Sequence, residues 1–223
     1  MKILAIDTSF DACSAAIVAD GAALWSETKI IGRGHSEVLP VMVASGVAAT
    51  GLAASDFDRV AVVIGPGAFA GVRVGLAFAR GLCLGTQIRA VGVTSTRALA
   101  ASVDAAPVAT VFDARRSQVY AALYGENLSE LIAPFVASPA EAARRIGSAV
   151  AGDFALAGSG AELIAPHVNS LARLIGRRRL DPIAIARLAG EPGDFSSSPL
   201  PLYLREPDAA PSSGSIFHRG RSP

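Results

Sequence analysis

Two stretches of this chain carry residues whose types and spacing could act on a phosphate. The first is Ile-Asp-Thr-Ser, in which Asp7 ends an apolar run and Thr8 and Ser9 follow it. A carboxylate there could orient magnesium or water, while the hydroxyls and amides of Thr8 and Ser9 face phosphate oxygens. The second is VVIGPGAFAGVRVG, residues 62–75, where an apolar run ends in a glycine turn that opens into a helix. Gly65 and Gly67 allow backbone geometry closed to other residues, and Pro66 stiffens the turn. A helix starting near Ala70 aims unpaired amides and its positive dipole end at an anion. Each stretch also has a plainer reading. Asp, Thr and Ser satisfy loop amides locally, and a glycine turn can serve packing alone. The turn is not a Walker loop, since no Gly-Lys-Ser/Thr follows, and its third glycine is misplaced for a dinucleotide fingerprint.

The helix predicted over 70–85 argues for packing. Gly71, Gly75 and Ala79 recur every four residues, as do Ala77, Gly81 and Gly85. Interior helix glycines cost about 1 kcal/mol each relative to alanine, so several together imply a close neighbour. Such small faces predict a tight helix–helix contact, contacts between chains included. The catalytic inventory is otherwise thin. His35, His167 and His218 show no metal-ligand spacing, and Cys13 and Cys83 build neither a disulfide framework nor a zinc motif. No Gly-x-Ser-x-Gly elbow marks a nucleophile; the nearest stretch, residues 158–162, reads as a turn before a helix. His35 stands at a helix start, with Ser36 and Glu37 suited to the first turn. The basic runs Arg115-Arg116, Arg144-Arg145 and Arg177-Arg178-Arg179 fit solvated faces, or a local contact with RNA phosphate.

Alternating and continuous apolar runs supply the elements that must position these residues. Strands are predicted over 2–7, 13–19 and 22–30, the last two joined at Asp20-Gly21. A helix over 35–49 places Val38, Leu39, Met42, Val43 and Val47 on one face. Strand 59–65 leads into the glycine turn, and strand 89–93 into a helix over 95–102. After Pro107 come strands ending at Asp113 and covering 117–125. Helices over 138–147 and 159–165 flank a strand at 154–158, and Asp181-Pro182 marks a further helix start. One internal echo joins the halves: with Asp7 laid on Asp113, Ala15-Ala16-Ile17 falls on Ala121-Ala122-Leu123. The tail from Glu206 has little to bury and is expected to be disordered.

The 223 residues are 51% hydrophobic and 17% charged, which describes a folded chain with a real core. A net charge of +1 excludes a general electrostatic pull on nucleic acid or anionic membrane. No apolar segment reads as a signal peptide or a membrane span, so a cytoplasmic protein with no membrane partner is expected.

Taken in order, ILAIDTS, HSEVLP, IGPGAFAGVRVGLAFARGL (64–82), DARRSQVYAALY (113–124) and PLYLR (201–205) resemble the landmarks of the TsaB family, also called YeaZ, of tRNA threonylcarbamoyladenosine biosynthesis. The resemblance implies an α/β chain of the actin-like, hexokinase-like ATPase fold (ribonuclease H-like), with two related lobes, the second shortened. The lobes are then expected at 1–103 and 104–205, with 206–223 as the tail. It further implies a non-catalytic subunit that binds the catalytic, glycoprotease-like paralogue TsaD, joined by the ATPase TsaE. That assembly transfers threonylcarbamoyl to the adenosine beside the anticodon, so tRNA is reached through the complex. Members also form homodimers in isolation, through the same helices. On this sequence that surface is expected at His35, Leu39, Met42, Val43, Gly71, Arg73, Gly75 and Ala79. Asp7, Thr8, Ser9, Gly65 and Gly67 are the candidates to face a nucleotide. The paralogue's metal site has two histidines four apart, a spacing absent here, so no metal site and no catalytic residue are expected. No cofactor is certain; the resemblance leaves room for ATP or ADP with magnesium at the interface of the complex. Ala68 and Ala70 replace the Ser and Thr usual in the family, removing two hydroxyls from the turn. A small-molecule phosphotransferase or ATPase of the same fold is the alternative activity, and proteolysis finds no nucleophile–base pair or metal to support it.

Overall fold

The structure, a computed structural model, describes residues 1–168, 172–192 and 199–205. The tail expected at 206–223 lies outside the described residues. The first sheet contains β1 (Lys2–Asp7), β2 (Ala12–Ala19), β3 (Ala22–Ile30), β4 (Arg59–Gly65) and β5 (Arg89–Thr94), in the order β3-β2-β1-β4-β5. Asp20 and Gly21 take positive φ between β2 and β3, the hairpin their types predict. Two helices, α1 (His35–Thr50) and α2 (Phe69–Cys83), bury the outer face, with Leu39, Met42, Val72 and Leu76 against Leu4, Ile6, Ile17 and Val62.

The second sheet contains β6 (Val108–Arg115), β7 (Gln118–Tyr124), β8 (Glu130–Ala137), β9 (Phe154–Ala157) and β10 (Ala172–Leu174). Its order, read from β8, is β8-β7-β6-β9-β10, the same path as in the first sheet. In both, an antiparallel hairpin is extended on its other side by a parallel strand. The inner faces of both sheets share one core with α3 (Ser95–Ala100) and α6 (Pro182–Gly190). The outer face of the second sheet is covered by α4 (Pro139–Ala149), capped by Ser138, and the short α5 (Ala161–Ile164). Asp181 accepts from the Ile183 amide and Pro182 opens α6, the start its sequence predicts. This helix packs on β1 and β2, so the chain returns to the first sheet after building the second.

The pairing register corrects one detail of the internal repeat. Asp7 faces Ser14 across the first hairpin, and Phe112 faces Tyr120 across the second. Laying Ala15-Ala16-Ile17 on Ala121-Ala122-Leu123 puts Ser14 on Tyr120, and therefore Asp7 on Phe112. Facing agrees. Ile3, Ala5 and Val18 enter the shared core, as do Val108, Phe112, Tyr120 and Tyr124, whereas Ala109 and Val111 belong to the outer one. Asp113 has the parity of Val111, and a one-residue slip in a strand exchanges its faces. The second lobe thus carries a buried phenyl ring where the first carries its acid.

Two strands escape the sequence pattern. Pro134 lies inside β8, and a proline demotes an apolar run as a strand unless the strand lies at an edge, which β8 does. The three residues of β10 are too few for any periodicity.

Candidate functional site

The loop after β1, the turn after β4 and the first turns of α2 meet at one place, and they fasten to each other. Asp7 Oδ1 accepts from the Ser9 amide at 2.8 Å and from Ser9 Oγ at 2.5 Å. The Thr8 hydroxyl donates to the Gly71 carbonyl at 2.7 Å, and the Ala68 amide donates to the Ser9 carbonyl at 2.7 Å. A methyl group at Gly71 would sit on the Thr8 carbonyl oxygen, and one at Gly75 would lie 2.8 Å from Thr8 Oγ1. Gly67 approaches the Ser9 carbonyl in the same way, 2.6 Å from where its Cβ would stand. The small face of α2 therefore receives the Asp7–Ser9 loop, where the glycine spacing predicts a second helix.

A strap formed by Pro199–Arg205 closes the turn from the other side. The Leu202 amide donates to the Ile64 carbonyl at 2.7 Å, and the Leu202 carbonyl roofs Gly65, which has φ +104°. Arg80 holds the Pro199 carbonyl at 2.9 Å, and Arg73 reaches Tyr203 Oη at 3.0 Å while lying 3.6 Å over the Phe69 ring. Asp7, Thr8 and Ser9 are buried, and Gly65 and Gly67 meet the chain's own carbonyls. Nucleotide phosphates with magnesium fit these residues poorly, because the Thr8 hydroxyl, the Ser9 amide and hydroxyl and the Ala68 amide are all spent on the chain itself, and the Asp7 carboxyl is buried on Ser9. Among the described residues no group of three or more His, Cys, Asp or Glu could hold a metal ion. Ala68 is the residue before the first turn of α2, and no side chain caps that helix.

Burial raises the Asp7 carboxyl above its ordinary value, against the pull of its two Ser9 bonds and of nearby His35. The folded chain therefore keeps this proton to a higher pH than the unfolded chain does. Its contribution to stability is full below the ordinary aspartate value and declines as pH rises toward the folded value. An asparagine side chain in its place retains an acceptor for both Ser9 donors without a charge to desolvate. Asp7→Asn is accordingly expected to match or exceed the parent's melting temperature at pH 7 and to flatten its decline between pH 4 and 7. Thermal unfolding across that range checks this; a large loss of stability at pH 7 would show that the charge itself is needed.

The residues expected at a dimer surface divide sharply. Leu39, Met42, Val43, Gly71, Gly75 and Ala79 are buried in their own lobe, and His35 is 9% exposed. Such side chains cannot also present themselves to a partner. Arg73 is exposed, and the outward side of the two touching helices carries other small and apolar residues beside its polar ones: Val41 and Ala44 on α1, Ala70, Ala77 and Gly81 on α2, and Leu84 just past its end. Val41 is 64% exposed and Leu84 84%.

Between the lobes lies a cleft of about 670 Å³, floored by Phe10 and the Pro66–Phe69 turn and walled by Arg115, Arg178, Arg179 and Arg205. Phe10 stacks on Phe112 with ring centroids 4.4 Å apart, joining the first lobe's loop to the second lobe's strand. Arg179 pairs with Asp11 at 2.8 Å across the same gap. Arg115, the adjacent Arg178 and Arg179, and Arg205 come from three separate stretches of sequence, and only the fold brings them to one wall. The strap contains the PLYLR landmark, residues 201–205, whose place over the glycine turn no local pattern gives.

The family described as "TsaD: tRNA N6-adenosine threonylcarbamoyltransferase" matches residues 28–191, well over half of the chain. The solved structure titled "YeaZ from Pseudomonas aeruginosa" superposes with a TM-score of 0.79 at 30% identity, covering 91% of this chain and 99% of that one. The chain belongs to the TsaB/YeaZ family. The tRNA threonylcarbamoyladenosine biosynthesis protein TsaB of Escherichia coli is 35% identical over 128 residues, 56% of this chain and 55% of that protein. The match thus spans about half the length of the first curated relatives. Component A of (R)-2-hydroxyglutaryl-CoA dehydratase from Acidaminococcus fermentans superposes with a TM-score of 0.52 at 11% identity, covering 85% of this chain and 97% of that one, which concerns the fold alone. The fold of this family member is the actin-like ATPase fold. None of its described helices is long and apolar enough to cross a membrane.

Proposed function

We propose that this chain is a non-catalytic subunit of the assembly that forms threonylcarbamoyladenosine in tRNA. It docks on a TsaD-type catalytic paralogue through the outward face of α1 and α2, with TsaE joining, and pairs with itself there when alone. The observation that carries this reading is the closed phosphate frame: Gly71 and Gly67 bring α2 and its turn onto the Thr8 and Ser9 carbonyls, so a fold built to hold nucleotide is packed against itself. The names of the relatives support the pathway. The exposed Val41, Ala77, Gly81 and Leu84 support the docking face, since small and apolar residues let another helix come close.

Mixing the purified chain with its TsaD-type paralogue at micromolar concentration is expected to give one heterodimer peak on a sizing column. The double variant Ala77→Glu/Leu84→Glu, whose changes lie in solvent, is expected to keep its melting temperature and to weaken that heterodimer about 100-fold or more. Separate elution of the parent chains overturns the reading.

A further inference from the structure

We propose that the mouth of the interlobe cleft binds the sugar-phosphate backbone of single-stranded RNA, with phosphates on Arg115, Arg178, Arg179 and Arg205. The identity of the RNA, a tRNA anticodon loop, rests on the function proposed above; the site itself does not. Four arginines and two aspartates line the cleft of a chain whose whole net charge is only +1, so positive charge is gathered here. Two of the arginines, Arg115 and Arg178, are engaged by exposed carboxylates that a phosphate can replace, while Arg205 is held on the Ala114 carbonyl at 3.0 Å and Arg179 on Asp11 at 2.8 Å. Arg115 meets Asp113 at 3.5 Å with its side chain 86% exposed, and Arg178 meets Glu162 at 3.0 Å with 54% exposed. Exposed pairs of this kind hold weakly. Tyr203, 40% exposed and packed on Phe69, lines the same cleft and offers an aromatic surface to a base. Arginines tracking a backbone beside an aromatic platform are what a single strand requires.

The hairpin that presents Arg115 points the same way. Arg115, Arg116 and Ser117 all have positive φ, at 63°, 52° and 55°, and Arg115 pairs with Gln118 to close the turn. Such turns favour glycine or asparagine. Here the chain holds arginines in the left-handed region instead, at a place where glycine would relieve the backbone.

Fluorescence anisotropy with a short labelled single-stranded RNA tests the proposal on the full chain. Binding is expected to weaken with salt, the slope of log K against log salt being about −0.7 per phosphate contact. Arg115→Gly is expected to melt no lower than the parent yet to bind about fivefold to tenfold more weakly, with a shallower slope. Arg178→Ala, in a loop, is expected to lose a similar factor. Absence of salt-dependent binding, or parent-like affinity in both variants, overturns the proposal. Free AMP competing as well as the oligonucleotide overturns it too, since the site would then take a nucleotide rather than a strand. RNA binding by a chain that forms no heterodimer would uphold this site and remove the assembly reading; a heterodimer without RNA binding would do the reverse.

Discussion

Gly71→Ala is expected to destabilise the fold by about 3 kcal/mol, the upper end of what an added methyl does in a tight core. The new Cβ would land on the Thr8 carbonyl oxygen, so either α2 or the β1–β2 loop must move. Backbone cannot rotate aside as a side chain can. Movement would strain the Thr8 hydroxyl bond to the Gly71 carbonyl and the Ala68 amide bond to the Ser9 carbonyl, both at 2.7 Å. Gly81→Ala in the same helix is the control. Its Cβ meets nothing within 4 Å, so the helix gains about 0.5–1 kcal/mol from the better propensity of alanine. Urea unfolding of the two variants beside the parent measures both effects. Equal shifts would mean that the small face of α2 has no special neighbour.

Phe112→Ala is expected to lower stability by about 3–5 kcal/mol, as for other fully buried aromatic rings. Phe112 is 1% exposed, enters the core shared by both sheets, and stacks on Phe10 with an interplanar angle of 21°. A double-mutant cycle with Phe10→Leu should return a coupling of about 0.5–1.5 kcal/mol beyond area burial. Calorimetry or denaturant curves of the four proteins give that number, and a coupling near zero would reduce the stack to ordinary packing. This ring occupies the position that matches Asp7 in the first lobe. Where a symmetric phosphate site would place a second acid, the chain has put a hydrophobic staple between its lobes.

Local elements are legible because their signals are local. The strand runs at 13–19 and 22–30, the Asp20-Gly21 turn and the Asp181-Pro182 start each depend on neighbouring residues, and apart from β8 and β10 the strands stand within a few positions of where these signals put them. The repeat is legible as topology, since both lobes follow one strand order. Its register is not. Apolar residues fill both faces of β1 and β6, so the pattern does not say which parity faces inward, and a match of acid to acid falls one position off. The same ambiguity touches the helices: Leu39, Met42 and Val43 do share one face, but an apolar stripe reads alike whether its own sheet or another chain covers it.

By itself the sequence determined the family, the two-lobed α/β class and the absence of a local nucleophile or histidine-pair motif, because motif order and periodicity are properties of the chain alone. Only the tertiary structure decided what the glycines are for. The neighbour of Gly71 is Thr8, from the far side of the first lobe's sequence, and the neighbour of Gly65 is Leu202, at the far end of the described chain. A glycine records that something comes close and not what it is. The arginine wall follows the same logic, since Arg115, Arg178 and Arg205 share a cleft only after two sheets have packed face to face.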